Sequence, residues 1–472
     1  MSPQGGPFGG MTSGRVEDFS SSIHYTYTMR DYHSALAWVV AADMGYGHLR
    51  AAYPLRDIAA GGILTAGVDD GTSRFEKMLW SNVRGVYAAL SRVQRIPVIG
   101  KRLFDLVDTI QRIPPFNPAA DLSGSTYQVN LLTSLIRQGL CSGLLEKING
   151  SGHLPLLTSF YAPAIAAEMH GFSATYCILC DADFNRAWVA QEPTLSRVTY
   201  FAPCTMAASR LKVYGVPEDK IFLTGFPLPP ELLGGRDISI LKSDFAERLL
   251  HLDPIGRFSS LHDGEPEMAF GRPQTTPGTP RPLTLTYAVG GAGAQKEIGR
   301  QIAYSLKSML QSGTLKLNLV AGIKSSVRDF FLNVKSNIAH GNENIGVIYG
   351  ETFGEYVRQF NAVLRTTDIL WTKPSELSFY SALGMPIIMS PALGSQEQRN
   401  REWLLEVQAG IDQLSPQHTE VWLMDMLEAG KLADAAWAGF RRVRKLGTYA
   451  IIDILKGEKP PAEDFLQVGQ GG

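Results

Sequence analysis

Apolar runs of strand length alternate along the chain with amphipathic segments of helix length, which predicts an α/β protein with doubly wound parallel sheets. The predicted strands of the first half are Ala35–Ala42, Leu154–Thr158, Thr175–Cys180, Val198–Phe201 and Ile221–Thr224. Helices are predicted between them near Ala162–His170 and Thr205–Tyr214. The predicted strands of the second half are Leu283–Val289, Leu315–Ala321, Ile345–Tyr349, Ile369–Trp371 and Ile387–Met389, each with a helical segment after it.

The length of 472 residues predicts two domains, because a single hydrophobic core stops growing at about 250–300 residues. A tail is expected over residues 1–30 and a first Rossmann-like domain over 31–252. Residues 253–282 are rich in Gly and Pro and are predicted to be a linker or insertion. The second Rossmann-like domain is expected over 283–472, with the return of its last helix to the first domain left open. The cleft between two such domains is the default ligand site.

Composition narrows the partners and the compartment. The 44 basic and 45 acidic residues give a net charge of -1, so no global field favours nucleic acid. Four cysteines are too few for a disulfide framework, which predicts a reducing, cytoplasmic location. Cys177 and Cys180 have zinc-like spacing but lie in an apolar run without a second pair, which favours buried thiols over a metal site. The N-terminal residues lack a signal-peptide core and no apolar run spans a bilayer, so membrane contact would be peripheral.

Glycine turns follow the first predicted strand of each half. Gly45 and Gly47 precede His48, which is a candidate base or a partner for a negative ligand, although a lone histidine can be structural. In the second half, Gly290, Gly291 and Gly293 follow the strand. Backbone N–H groups in such a turn suit a diphosphate, although a short glycine turn can also be a simple connection.

Polar side chains also follow later strands. Asp181 and Asp183 come after Thr175–Cys180, where a carboxylate can take a proton from an attacking hydroxyl or orient His48, or simply lie in a solvated turn. Two further groups at predicted helix starts are expected to bind a ligand or to cap the helices. These groups are Ser375, Glu376 and Ser378, and Gln396, Glu397 and Asn400.

The segment 79–115 interleaves aromatic and aliphatic residues with Arg and Lys. An interfacial helix on anionic lipid has this pattern, and so do ordinary helices packed on a sheet with basic residues facing water. The candidate membrane-contact residues are Trp80, Arg92, Arg95, Lys101 and Arg102.

Four stretches in this order resemble motifs of GT-B glycosyltransferases related to monogalactosyldiacylglycerol synthase, bacterial diacylglycerol glucosyltransferases and the peptidoglycan N-acetylglucosaminyltransferase. Asp43–Ala52 is similar to their glycine turn with its histidine, and Tyr214–Pro227 to the segment that ends their first domain. Gly290–Gly293 resembles their phosphate loop, and Thr372–Asn400 their donor-nucleotide signature. This resemblance implies that Lys373 and the position of Ser381 also belong to the donor site.

The resemblance implies an inverting transfer of a sugar, expected to be UDP-linked, to a lipid or lipid-linked acceptor at the inner membrane face. It implies neither a cofactor nor a metal. This sequence departs from the family at Ser381, where relatives carry the Glu that holds the donor ribose, and Glu376 is a candidate substitute. The alternatives are a soluble enzyme of this fold acting on a small molecule or a nucleotide sugar, and a catalytically silent nucleotide-binding relative.

Overall fold

The structure is a computed structural model that describes residues 37–68, 72–81, 113–116, 120–149, 154–262, 264–266, 281–291, 293, 295–338 and 344–461. Within these ranges, twelve strands form two six-stranded sheets, and every strand pair is parallel. The prediction of two doubly wound parallel sheets is therefore confirmed. The strands are β1 Trp38–Ala42, β2 Leu64–Ala66, β3 Leu156–Thr158, β4 Thr175–Ile178, β5 Thr199–Ala202, β6 Ile221–Leu223, β7 Leu283–Ala288, β8 Leu315–Gly322, β9 Ile345–Tyr349, β10 Ile369–Thr372, β11 Ile387–Met389 and β12 Gly410–Asp412.

Helices connect these strands. Residues 74–81 are helical, and the other α-helices are Tyr46–Ala52, Tyr127–Arg137, Ser142–Asn149, Tyr161–Met169, Thr205–Val213, Pro230–Leu233, Ser239–Leu252, Arg257–His262, Lys296–Ser305, Lys307–Ser312, Ser325–Ile338, Phe353–Leu364, Ser395–Glu406, Thr419–Glu428, Lys431–Arg442 and Gly447–Leu455. Short 3-10 helices occur at Tyr53–Ile58, Arg186–Trp188, Pro193–Leu195, Glu218–Lys220, Glu376–Leu383 and Pro416–His418. Within the described ranges, none of the helices combines the length and the apolar character that crossing a bilayer requires.

The strand order fixes where each sheet can bind a ligand. The first sheet runs β2-β1-β3-β4-β5-β6, and the second runs β12-β11-β10-β7-β8-β9. In the first sheet, β2 is added on one side of β1 and the strands from β3 onward on the other side, so the strand order switches between β1 and β3. In the second sheet, the same switch lies between β7 and β10. In open α/β sheets, ligands bind outside the carboxyl ends of the strands at such switch points.

The two edge strands β2 and β12 were not predicted from the sequence. Each has only three residues, and neither forms an apolar run of strand length. Both pair with a long-range neighbour, β2 with β1 and β12 with β11, so tertiary pairing rather than local pattern makes them strands.

Contacts between the two halves bear on the domain organisation. The helix Ser239–Leu252, expected at the end of the first domain, packs on the second: Phe245 stacks on Phe440 with ring centroids 4.7 Å apart. Arg248 also donates from Nε to the carbonyl oxygen of Thr367 at 2.7 Å. The domain boundaries themselves stay a prediction.

The last described helix, Gly447–Leu455, contacts the first half of the chain. Thr448 donates from Oγ1 to the carbonyl oxygen of Leu228 at 2.6 Å, and Asp453 pairs with Arg236 at 2.6 Å. These contacts fit the return of the last helix that the sequence left open.

The segment 253–282, predicted as a linker, is folded at its start. The helix Arg257–His262 begins there, Phe258 is buried, and the Asp253 carboxylate accepts hydrogen bonds from the backbone N–H groups of Phe258 and Ser259. Residues 267–280 and the tail 1–30 lie outside the described residues.

The four cysteines are free and buried, which confirms the expectation of buried thiols at Cys177 and Cys180.

Candidate active site

A cleft of about 300 Å³ lies where the two switch points face each other. Loops after β1, β3 and β4 line it from the first domain, and loops after β7, β10 and β11 line it from the second. The predicted site residues that the structure brings together here are Gly45, Gly47, His48, Asp181, Gly290, Gly291, Lys373, Ser375, Glu376, Gln396 and Glu397.

His48 lies in the first turn of the helix Tyr46–Ala52 that follows β1, and its proton position is set by a backbone partner. Its Nδ1 is 2.7 Å from the carbonyl oxygen of Ser159, which follows β3. Because a carbonyl oxygen only accepts, Nδ1 carries the proton and Nε2 has a lone pair. Ser159 in turn donates from Oγ to the His48 carbonyl oxygen at 2.8 Å.

The environment of His48 favours the neutral ring. The rings of Phe160 and Trp188 lie 4.9 Å and 6.0 Å from the imidazole centroid. Burial lowers the pKa of His48 below its usual value, and the hydrogen bond to Ser159 and the charge of Glu376 offset this only in part. At neutral pH, His48 therefore presents an unprotonated nitrogen, as a general base requires.

Asp181 is a second candidate proton acceptor in the cleft. Burial raises its pKa to about 6, while a hydrogen bond from Asn400 opposes that rise. Asn400 donates from Nδ2 to Asp181 Oδ1 at 2.8 Å.

The catalytic role predicted for Asp183 needs correction. Arg210 holds its carboxylate through two hydrogen bonds, from Nε at 2.6 Å and from Nη2 at 2.8 Å. Both side chains are fully buried, and Asp183 is not among the residues that line the cleft. Asp183 is therefore the acidic half of a structural ion pair, and we leave it out of the proposed reaction.

The glycine turn after β7 is shaped by the side chains that cross it. A Cβ at Gly290 would lie 2.4 Å from Lys373 Cε, and a Cβ at Gly291 would lie 3.3 Å from the Tyr46 ring. Gly293 adopts a φ of 66° and donates its N–H to the Gly290 carbonyl at 2.7 Å, but it does not line the cleft. Lys373, which is paired with Glu397, therefore lies directly over the turn predicted to bind phosphate.

A buried ion pair joins the two domains at the cleft wall. Arg50, in the helix after β1, pairs through Nη1 with Glu376 and donates from Nη2 to the Tyr356 hydroxyl. Burial alone would raise the pKa of Glu376, but the charges of Arg50 and Lys373 outweigh it and lower that pKa. Glu376 is therefore ionised and already neutralised by an arginine of the other domain.

Arg50 and Tyr46 are two cleft residues that were not predicted from the sequence. Tyr46 also crosses between the domains, where its Oη accepts the N–H of Ile323 at 3.0 Å. One sequence feature could have indicated Arg50 as a cleft residue. It is a long basic side chain next to the small residues Ala51 and Ala52, in a short helix that follows a glycine turn.

Three predicted donor-binding residues lie behind the cleft wall. Ser381 donates from Oγ to the Ser378 carbonyl at 2.7 Å, and both residues are fully buried. Ser378 Oγ has no hydrogen-bond partner among the described residues. Asn400 faces Asp181 rather than open space. Ser375 does line the cleft, and its side chain makes no cap bond to the 3-10 helix that it precedes.

The membrane-contact prediction is wrong for Trp80. Its side chain is 1% exposed, and its indole N–H donates to Glu76 at 3.3 Å. The ring packs so closely on Gly67 that a Cβ there would lie 2.3 Å away. A lipid surface cannot reach a residue packed in this way. Arg92, Arg95, Lys101 and Arg102 lie outside the described residues.

The solved structures that are similar to this chain share little sequence identity with it. The sequence matches no protein-family model, and comparison with curated proteins gives no match. The glycosyltransferase of kitacinnamycin aligns over 90% of this chain and 99% of its own at 12% identity, with a TM-score of 0.45. Streptomyces sp. SF2575 glycosyltransferase SsfS6, complexed with thymidine diphosphate, aligns over the same shares at 11% identity and a TM-score of 0.43.

An epimerase is also among the similar structures. Neisseria meningitidis UDP-GlcNAc 2-epimerase, bound to UDP-GlcNAc, aligns over 76% of this chain and 89% of its own at 15% identity, with a TM-score of 0.42. At these identities and scores, the likenesses carry no conclusion about what this chain binds.

In the described residues, no three His, Cys, Asp or Glu side chains are arranged to hold a metal ion.

Proposed function

We propose that this protein is an inverting glycosyltransferase that moves a sugar from a nucleoside diphosphate sugar to a hydroxyl group. One observation carries the proposal: His48 has its proton fixed on Nδ1 and lines a cleft between two switch points. A glycine turn crossed by a lysine forms the other side of the same cleft. A base and an anion site facing each other are the parts that this transfer requires.

In the proposed reaction, Nε2 of His48 takes the proton of the acceptor hydroxyl. The acceptor oxygen attacks the anomeric carbon, and the bond from that carbon to the diphosphate oxygen breaks. The nucleoside diphosphate leaves with the electron pair, and the sugar is transferred with inversion. General base catalysis of this kind contributes about 10²- to 10⁴-fold to a rate.

The leaving diphosphate is expected at the turn after β7. The backbone N–H groups of Gly290 and Gly291 and the start of the helix Lys296–Ser305 suit an anion, because that helix begins without a side-chain cap. Lys373 adds a cation beside the turn, and its charge is partly offset by Glu397. Groups fixed in place before the reaction stabilise developing charge without reorganisation.

The proposed acceptor is a lipid or lipid-linked hydroxyl at a membrane surface, with a UDP-linked donor. The support is the resemblance of the four motifs and the basic, aromatic composition of residues 79–115. Flotation with anionic vesicles tests this part. We expect binding that falls when Arg92, Arg95, Lys101 and Arg102 are neutralised together, and binding that is absent or unchanged contradicts the membrane acceptor.

The function as a whole is tested with a panel of labelled nucleoside diphosphate sugars and a membrane lipid extract. Label in the organic phase with one donor supports the proposal and identifies that donor. Label in a water-soluble product, or an epimerised nucleotide sugar, assigns the soluble alternative instead. Nucleotide binding without any product indicates a catalytically silent protein.

A further inference from the structure

The amide of Asn400 bridges the two domains behind the cleft. This residue lies in the helix after β11, and its side chain is fully buried. Its Nδ2 donates to Asp181 Oδ1 at 2.8 Å and to the Pro374 carbonyl at 3.3 Å, while its Oδ1 accepts the N–H of Ala182 at 2.7 Å. The opposite amide orientation would set an oxygen against two acceptors, so the three partners fix the orientation.

Asp181 depends on this contact. Its carboxylate lines the cleft, and among the described residues Asn400 is the side chain that donates a hydrogen bond to it. Asn400 and Pro374 belong to the second domain, whereas Asp181 and Ala182 belong to the first. The bridge can therefore form only when the domains are closed on each other.

We propose that Asn400 is a positioning residue that orients the Asp181 carboxylate toward a substrate hydroxyl and keeps it ionised, so that this group is ready only in the closed enzyme. The proposal rests on the proposed function for its catalytic meaning. The geometry of the bridge stands without it.

Several charged groups surround Asp181, and they set the sign of the pH effect. Burial, together with the nearby charges of Glu376 and Glu397, raises its pKa to about 6, while the hydrogen bond from Asn400 and the charge of Lys373 oppose the rise. Cys180 precedes it in the chain and His48 lines the same cleft. The Asn400 amide favours the ionised form, so its loss raises the pKa of Asp181 above about 6.

The test compares the pH dependence of kcat in two matched variants. Asn400→Ala removes the hydrogen bond that favours the ionised carboxylate of Asp181. We expect kcat to fall about tenfold at pH 6, where more of this carboxylate becomes protonated, and much less at pH 8, where it stays ionised. Asn318→Ala is the control, because Asn318 is also a buried asparagine of the second domain, and its side chain donates from Nδ2 to Thr286 Oγ1 at 3.2 Å. A uniform fall across the pH range in Asn400→Ala, or the same shift in the control, overturns the proposal.

A second readout does not need turnover. The titration of the Asp181 carboxyl carbon is followed by NMR in protein labelled at aspartate, with the signal assigned by its loss in Asp181→Asn. We expect a higher midpoint in Asn400→Ala. The isosteric Asn400→Asp, which keeps an acceptor for Ala182 and places a second acid beside the carboxylate, is expected to raise the midpoint further and serves if Asn400→Ala does not fold.

An unchanged midpoint in these variants contradicts the role of Asn400. If the wild-type enzyme transfers no sugar while the midpoint moves as expected, the proposed function fails and the bridge stands. The two failures are therefore distinguishable.

Discussion

Single residues determine the chemistry of the cleft through their hydrogen-bond partners. His48 is held in one tautomer because its Nδ1 faces a carbonyl oxygen that follows a neighbouring strand. Asp181 and Asp183 are two positions apart, yet one lines the cleft and the other is enclosed by Arg210. The difference between a candidate acid–base group and a structural ion pair is therefore set by which partner each carboxylate meets.

At the residue scale, the strand ends were predictable from the sequence, but these hydrogen-bond partners were not. Both aspartates follow the same predicted strand, so their spacing gave no reason to prefer one. The partner of Arg50 is 326 positions away in the chain, which a local pattern does not reveal. The sequence pattern fits an exposed Trp80 as well as a buried one, because aromatic residues beside Arg and Lys occur on surfaces and in cores. Only the packing of its ring against Gly67 decides between them.

A prediction at this scale concerns the buried pair of Arg50 and Glu376. Arg50→Met leaves the Glu376 carboxylate buried without its arginine partner, which is expected to lower the free energy of unfolding by about 3–5 kcal/mol. The double variant Arg50→Met/Glu376→Met removes both charges and is expected to recover most of that loss. Denaturant unfolding of both variants measures the difference, and equal stabilities of the single and double variants would contradict it.

Strands and turns place these residues at the same edge of each sheet. The long strands β7 and β8 and the buried strand β1 were predictable because their apolar runs are long enough to be read without tertiary information. The edge strands β2 and β12 were not, because three residues carry no pattern. The glycine turns were predictable as turns, but the side chains that cross them, Tyr46 and Lys373, were not.

The contact of Tyr46 with Gly322, the last residue of β8, gives a prediction at this scale. Gly322 has a φ of 70°, and a Cβ there would lie 2.5 Å from Tyr46 Oη. Gly313 has a φ of 75°, and the nearest atom to its Cβ would be 3.5 Å away. Gly313→Ala therefore carries only the left-handed strain, which is about 1–2 kcal/mol.

We expect Gly322→Ala to lose clearly more stability than Gly313→Ala and to weaken nucleotide binding, because Tyr46 is displaced from the cleft wall. Thermal unfolding and a nucleotide titration of both variants measure this. Equal losses would mean that the Tyr46 contact does not stabilise the joined domains.

For the molecule as a whole, the candidate site depends on two sheets whose switch points face each other. Each sheet by itself brings only one side of the cleft together. Contacts of Tyr46, Arg50 and Asn400 with the opposite domain hold the two sides against each other. The sequence predicted the two sheets and the cleft between them, but not the residues that join across it, because no periodicity within one domain reports a partner in the other.

The most direct test of the account compares wild-type enzyme with His48→Gln in a single-turnover transfer assay, using the donor found in the panel. Glutamine keeps a side-chain amide near Ser159 but lacks a basic nitrogen. We predict that the transfer rate falls by about 10²- to 10⁴-fold while the affinity for the nucleoside diphosphate is retained. Transfer at the wild-type rate by His48→Gln would contradict the account.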